Sequence, residues 1–299
     1  DTHGLPVELQ VEKELGIKKE DIGKKVTVDE YNQKCRETVM RFKDIWDDLT
    51  EKMGYWVDLE NPYITFEKEY IESVWSMLKQ LYDKDLIYKG YTIQPYSPAA
   101  GTGLSSHELN QPGTYQDIKD TSMVAQFKVS GTENDYIIAW TTTPWTLPAN
   151  NGLAVGAGIE YVKVSTFNQY TFERINVILA KERVSSYFND KAEDIKLEDY
   201  QAGDKLIPFK VVDSFKGRDM EGMDYEQLMP YIPLEKPAFT VVIGDFVTTE
   251  DGTGIVHISK TFGADDFKTS AQYNMPGVFV KDEEGKDVPI VDKQGRYVK

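Results

Sequence analysis

Residues 124–129 (VAQFKV) and 136–140 (YIIAW) are short runs of β-branched and aromatic residues, and TTTPWTLPAN (141–150) follows the second directly. The two runs read as strands. Four hydroxyls, two prolines and a tryptophan make the next segment a stiff loop with many donors and acceptors, because proline fixes φ and lowers the entropy cost of holding its neighbours. Further runs of the same kind lie at 161–164, 177–179, 239–243 and 254–258, and one short helix is expected at 180–188. Strands punctuated by glycines, with few helices between them, predict a barrel-like β domain over 121–299.

Upstream the period changes. Residues 1–26 are irregular and charged, and residues 27–30 (TVDE) then have the form of a capping box. The helix it announces is expected to run to about Met53, with Val39, Phe42, Ile45, Trp46 and Leu49 at helical spacing and Gly54 as the stop. A second helix is expected at 66–84, with Ile71, Val74, Trp75, Leu78, Leu81 and Tyr82 on one face. Both stripes read as core packing. Residues 90–120, rich in Gly, Pro, Ser and Asn, read as a small hairpin module or linker. The fold class is therefore α+β: a helical and hairpin region over 1–120, then a mainly β, barrel-like domain.

The chain's 299 residues suffice for two cores. No apolar run approaches the ~18 residues of a membrane span. The single cysteine, Cys35, excludes an internal disulfide, and His3, His107 and His257 are too scattered for a zinc site. A reducing cytoplasm is the expected compartment. No glycine loop of the P-loop or dinucleotide-binding type is present. The net charge is −16, divided evenly: residues 1–120 hold 23 acidic and 15 basic residues, and residues 121–299 hold 27 and 19. Neither part is a basic module, whereas tight phosphate binding needs clustered Lys and Arg. A nucleic acid handled here must be gripped mostly by other regions. The chain opens on Asp1, without an initiator methionine, and is expected to be part of a larger protein.

Two segments can carry chemistry. One is the threonine loop, 141–150. In the other, DGTGIVH (251–257) ends a strand on an imidazole, and Asp265 and Asp266 follow a glycine turn. A histidine near a carboxylate can be oriented and tuned near neutral pH. From the residues alone a hydrolytic pocket stands beside plainer readings: threonines ending a strand, a structural histidine, and acids capping a helix.

TTTPWTLPAN (141–150) together with GTGIVHISKTFGADD (252–266) resembles the two signature blocks of the connective-peptide editing domain shared by isoleucyl-, valyl- and leucyl-tRNA synthetases of class I. FKGRDMEGMDYEQLMPY (215–231) resembles a third block between them. DTHGLPVE (1–8) and residues 55–90, with IESVW (71–75) and LYDK (81–84), are similar to the isoleucyl members. The resemblance covers nearly the whole chain and is weakest around 165–205.

It implies post-transfer editing: hydrolysis of the ester in valyl-tRNA(Ile). Isoleucine exceeds valine by one methylene, so a synthetic site cannot refuse the smaller side chain sterically, whereas a second site can refuse the larger one. By this resemblance Asp266 holds the substrate's α-ammonium, and Thr142 and Thr143 hydrogen-bond the ribose or the attacking water. His257 and Trp145 bound a side-chain pocket too small for isoleucine. Thr141, Thr146, Asn150, Gly254 and Asp265 complete the substrate surface. Water is the nucleophile, so no covalent enzyme intermediate is needed.

The implied partners are the 3′ end of tRNA(Ile) bearing valine and the remaining domains of the synthetase, with no membrane. The class I signatures HIGH and KMSKS are absent, so no aminoacylation is expected from this chain alone; ATP and magnesium belong to a synthetic site elsewhere, and the chain needs no cofactor of its own. PYSPAAG (95–101) stands where many relatives carry a zinc-binding cysteine knuckle, so no zinc is expected. Lys260 stands where proline is usual, and Lys299 is expected to precede the domain's last elements. The alternatives are a non-enzymatic tRNA-positioning module, valyl-type editing of threonyl-tRNA, and an unrelated Thr/His/Asp hydrolase.

Overall fold

In a computed structural model, which describes residues 2–90 and 92–298, the chain divides into two compact units, Asp1–Tyr91 and Thr92–Lys299. The 92–120 segment clusters with the strands.

The first unit is helical. Helix α1 (Leu5–Leu15) has proline in its first turn and is closed by Gly16 in the left-handed conformation. Helix α2 (Val28–Met40) begins with the expected capping box: Thr27 Oγ1 accepts the Glu30 N–H at 3.2 Å, and Glu30 Oε2 accepts the Thr27 N–H at 3.0 Å. It does not run on to Met53. Phe42 adopts φ −110° and ψ 12°, and a separate helix α3 (Lys43–Lys52) starts there. The β-branched pair Thr38 and Val39 weakens the last turn of α2, with no glycine or proline to announce the break. Helix α4 (Lys68–Asp83) matches the second expectation.

The stripes on α3 and α4 are not core within this unit. Phe42, Ile45, Trp46, Leu49, Trp75, Leu78, Leu81 and Tyr82 are exposed, and the buried apolar residues described in this unit are Val11 and Tyr31. Helical periodicity reports an apolar face, not the surface that covers it.

The second unit opens with a hairpin, β1 (Tyr96–Ser97) and β2 (Thr102–Gly103), and a short helix α5 (Ser106–Leu109). Two sheets follow. Strands β3 (Met123–Lys128), β4 (Asp135–Thr141), β6 (Glu160–Phe167), β7 (Arg174–Ala180) and β8 (Lys210–Lys216) form one, in the order β3-β4-β7-β6-β8. Only β4 and β7 run parallel in it. Strands β5 (Gly152–Val155), β9 (Thr240–Ile243) and β10 (Ile255–Ile258) form the other, with β5 central, antiparallel to β10 and parallel to β9. All six runs expected as strands are strands. Between the strands lie two short helices, α6 (Val184–Tyr187) and α7 (Gly217–Met220), and α8 (Ala264–Gln272) follows β10. A last hairpin pairs β11 (Val280–Lys281) with β12 (Asp287–Val288).

Alternation sorts the side chains into layers. Phe127, Ile137, Tyr161, Ile178, Leu153, Val155, Val241 and Ile255, from both sheets, share one core with Met220 and Tyr225. Val162, Val164, Val177 and Leu179 face outward from the larger sheet and are covered by Tyr187 and Phe188. Ala154, Val242 and Ile258 face outward from the smaller sheet, beneath Met275 and Tyr273.

The unit is α+β, but the sheets stay open where a barrel-like closure was expected. The 222–226 segment, in neither sheet, bonds to both. At the end of β3 the Ser130 N–H reaches the Asp224 carbonyl at 2.9 Å and the Glu226 N–H the Lys128 carbonyl at 2.8 Å. Beside β9 the Gly222 and Tyr225 N–H groups reach the Val241 and Phe239 carbonyls, and the Val241 N–H the Met223 carbonyl, each at 2.9 Å. At the end of β7 the Ala180 N–H reaches the Thr253 carbonyl at 2.9 Å. These links tie the sheets together, but the two sheets do not merge into one continuous sheet of strands.

Candidate functional site

The threonine loop leaves β4 at Thr141 and coils through a 3-10 turn, Pro144–Ala149, into Asn150 and β5. Proline at the turn's first position suits its fixed φ. Because β5 pairs with β10, with Leu153 opposite His257, the end of the loop is delivered beside the imidazole.

The loop side chains divide by exposure. Thr141, Thr146, Asn150 and His257 are buried, and Thr142, Thr143 and Trp145 are exposed. The buried four form a continuous network with one assignment of protons. Asn150 Nδ2 donates to the Gly152 carbonyl at 2.8 Å, with a longer contact to the Ile258 carbonyl at 3.4 Å, so the amide nitrogen must face this side. The same nitrogen meets His257 Nδ1 at 3.0 Å, which makes Nδ1 an acceptor. The ring proton therefore sits on Nε2 and is donated to Thr146 Oγ1 at 2.8 Å, while Thr146 donates its own proton to the Thr143 carbonyl at 2.9 Å. Burial pushes the His257 pKa down to about 4, so the ring is neutral at physiological pH. Thr141 Oγ1 accepts the Thr143 N–H at 3.1 Å and lies 3.4 Å from the Thr143 hydroxyl.

Asp266 lies in the first turn of α8. Its Oδ2 accepts the Ser259 N–H at 2.8 Å, tying the helix start to the end of β10. Gly263 is the residue before the helix, and a Cβ there would fall 2.7 Å from the Asp266 carboxyl carbon, so only glycine leaves room for the side chain to fold back. Burial raises the Asp266 pKa to about 6, the Ser259 N–H opposes the rise, and Asp265 adds to it. Asp265 itself is exposed. The Trp145 and Phe262 rings meet edge-on, centroids 5.1 Å apart, so the segment leading to Asp266 reaches the threonine loop.

The structure thus brings Thr141, Thr143, Thr146, Asn150 and His257 into one hydrogen-bonded group and links Asp266 to it through Ser259 and the Trp145–Phe262 contact. Thr142 belongs to the loop's open face. Gly254 is buried, with φ +72°; its carbonyl accepts from the Tyr161 hydroxyl at 2.7 Å, and a Cβ would meet that of Ala180 at 2.4 Å. Its visible contacts are those of packing.

Two further residues escaped the sequence reading. The Tyr225 hydroxyl donates to Asn150 Oδ1 at 2.6 Å. Tyr225 lies within residues 215–231, so the third block supplies a support for the other two. Asn151, fully buried, donates to Ser270 Oγ at 3.2 Å and to the Pro276 carbonyl at 2.9 Å. An asparagine pair ending a proline-rich turn was the only signal for it. Among the described residues, no helix is long and apolar enough to cross a membrane.

The sequence is 66% identical over its whole length to an isoleucine–tRNA ligase of Cytophaga hutchinsonii and 44% identical over 98% of its length to that of Clostridium tetani, covering 27% and 26% of those proteins. The chain thus spans about a quarter of the relatives it matches. In structure it is similar to a leucyl-tRNA synthetase editing domain of P. knowlesi, with 12% identity over 56% of this chain and 73% of that one and a TM-score of 0.38. Residues 1–261 match the family model described as tRNA synthetases class I (I, L, M and V), and the chain belongs to that family.

Proposed function

We propose that the threonine loop, His257 and Asp266 form a post-transfer editing site that hydrolyses the ester joining valine to the terminal adenosine of tRNA(Ile). The observation that carries this reading is the neutral His257, held at both ring nitrogens by Asn150 and Thr146 behind a loop whose open face presents Thr142, Thr143 and Trp145. An imidazole whose Nδ1 already accepts one proton and whose Nε2 already donates another is a poor general base. It serves as a fixed wall, and a fixed wall is what size exclusion requires. The exposed Thr142 and Thr143 hydroxyls orient the ribose or the attacking water.

Asp266 supplies the charge. A partly desolvated carboxylate gains more from an incoming ammonium than a fully hydrated one, through a charge-assisted hydrogen bond. The ammonium in turn favours the ionised acid. Valine enters, isoleucine meets the wall, and water attacks the ester carbonyl.

The test is deacylation of valyl-, isoleucyl- and threonyl-tRNA(Ile) by the full-length protein. Rapid loss of valine with isoleucine spared is the expected result. Faster loss of threonine than of valine would instead indicate editing of a hydroxylated substrate. Binding of tRNA without any deacylation would identify a positioning module and overturn the proposal.

A further inference from the structure

The two residues after β10 hold both ends of α8. The Ser259 N–H binds Asp266 at the first turn, 2.8 Å away. The Lys260 ammonium donates to the Met275 carbonyl, just beyond the last turn, at 2.7 Å. Helix α8 ends in a Schellman motif: Asn274 has φ 54°, its N–H reaches the Ala271 carbonyl at 3.2 Å, and the Met275 N–H reaches the Ser270 carbonyl at 2.7 Å. The ammonium therefore sits where the negative end of the helix dipole favours a cation. The Lys260 N–H also reaches Asn151 Oδ1 at 3.3 Å, and the same Asn151 side chain holds Ser270 and Pro276. One short segment and one buried amide thus fix the first turn, the last turn and the exit of a nine-residue helix.

We infer that Lys260 is a positioning residue for editing: its bond to the Met275 carbonyl sets the orientation of α8 and so the aim of the Asp266 carboxylate at the substrate ammonium. It rests on the editing function proposed above and adds to it a residue that touches no substrate. A surface lysine on an exposed carboxylate would be worth little. This one is half-buried and reaches a backbone carbonyl, so its loss removes a charge-assisted bond and leaves that carbonyl short of a donor. Small displacements of a binding group are costly in an active site, where a misplacement of ~1 Å can cost ~100-fold in rate.

The experiment measures deacylation of valyl-tRNA(Ile) by the full-length protein and its Lys260→Met, Lys260→Arg and Asp266→Ala variants, singly and with Lys260→Met added to Asp266→Ala. Lys260→Met is expected to lower kcat/KM about tenfold, consistent with partial misplacement of one group. Lys260→Arg, which restores a cationic donor, is expected to recover most of that loss. Because Lys260 acts through Asp266, adding Lys260→Met to Asp266→Ala should change the residual rate by less than about twofold. Thermal melting checks folding, and if Lys260→Met melts below the assay temperature, Lys260→Gln takes its place. A near-parental rate for the folded variant, or a full further loss in the Asp266→Ala background, overturns the inference while the editing reading stands. Absence of deacylation by the parent overturns both.

Discussion

The Tyr225 hydroxyl donates to Asn150 Oδ1 at 2.6 Å, across 75 residues of sequence. That bond occupies the oxygen of the amide and leaves its nitrogen turned toward His257 Nδ1. The tautomer of the site histidine is thus set from the third sequence block, by a phenol buried in the shared core.

Tyr225→Phe tests that chain of bonds. The ring contacts with Phe127 and Phe239, at 5.3 and 6.0 Å, survive the change, so packing is retained. What is lost is the donor to a buried carbonyl oxygen, at a cost of about 1–3 kcal/mol. Urea unfolding should show a loss of that size, together with slower deacylation. A midpoint unchanged from the parent would mean that Asn150 is held without Tyr225.

His257 and Asp266 make opposite contributions to stability over the same pH range. The His257 pKa is lowered to about 4 from an ordinary 6.5, so below pH 6.5 the unfolded chain takes up a proton that the folded one refuses. Stability from this group is lost as pH falls from 6.5 toward 4, by about 3 kcal/mol in all. Asp266, raised to about 6 from 3.8, binds its proton more readily when folded, so its contribution improves as pH falls through 6. Replacing Asp266 by Asn should therefore steepen the acid loss of stability, and replacing His257 by Gln should flatten it. Chemical denaturation of each variant at pH 4.5 and 7 reads the difference; parallel profiles for all three proteins would refute the assignment.

Gly254→Ala probes the approach of β10 to β7. Its φ of +72° strains any residue with a Cβ, and that Cβ would fall 2.4 Å from the Cβ of Ala180. Backbone strain and overpacking each cost about 1–3 kcal/mol. A marked fall in melting temperature is expected, and a variant as stable as the parent would show that the two strands can part.

The hairpin at 96–103 should bind no zinc, because PYSPAAG contains no thiol. Elemental analysis of the purified protein decides this. Stoichiometric zinc would require ligands outside the hairpin.

Much of this architecture was legible in the sequence, and the failures share a cause. The six β runs and the Thr27–Glu30 capping box are local patterns, with periods and spacings that a single segment carries. The loop and His257 stood out because hydroxyls, prolines and a histidine are unusual at strand ends. Strand β5 was missed because GLAV, wholly buried, has no alternation to read, and β8 because its seven residues are nearly all exposed. Tyr225 acts through its hydroxyl and Asn151 through its side-chain amide, both over long separations, which leaves no periodic trace. The stripes on α3 and α4 were visible as apolar faces, but their covering is not a property of the helix that bears them.

The two adjacent carboxylates, Asp265 and Asp266, are separable by experiment. Asp266 folds back toward Ser259 and is mostly buried, whereas Asp265, one residue earlier in the same turn of α8, is exposed. Successive helical residues point about 100° apart, so one turn aims these two acids in different directions. If Asp266 pairs with the substrate ammonium, Asp266→Ala leaves a cation without its partner in a partly desolvated pocket. Deacylation of valyl-tRNA(Ile) should then fall at least about a hundredfold, the scale of one lost buried charge-assisted contact. Asp265→Ala should slow it by no more than about threefold, since an exposed charge is screened by solvent. The parent's rate should also decline as pH falls through about 6, where Asp266 takes up its proton, and this acid limb should vanish in Asp266→Asn. If these residues serve editing alone, isoleucine activation measured on the full-length protein should be unaffected in all three variants. Equal losses for Asp265→Ala and Asp266→Ala would show that the pair acts only through its summed charge, and the ammonium would have to be anchored elsewhere.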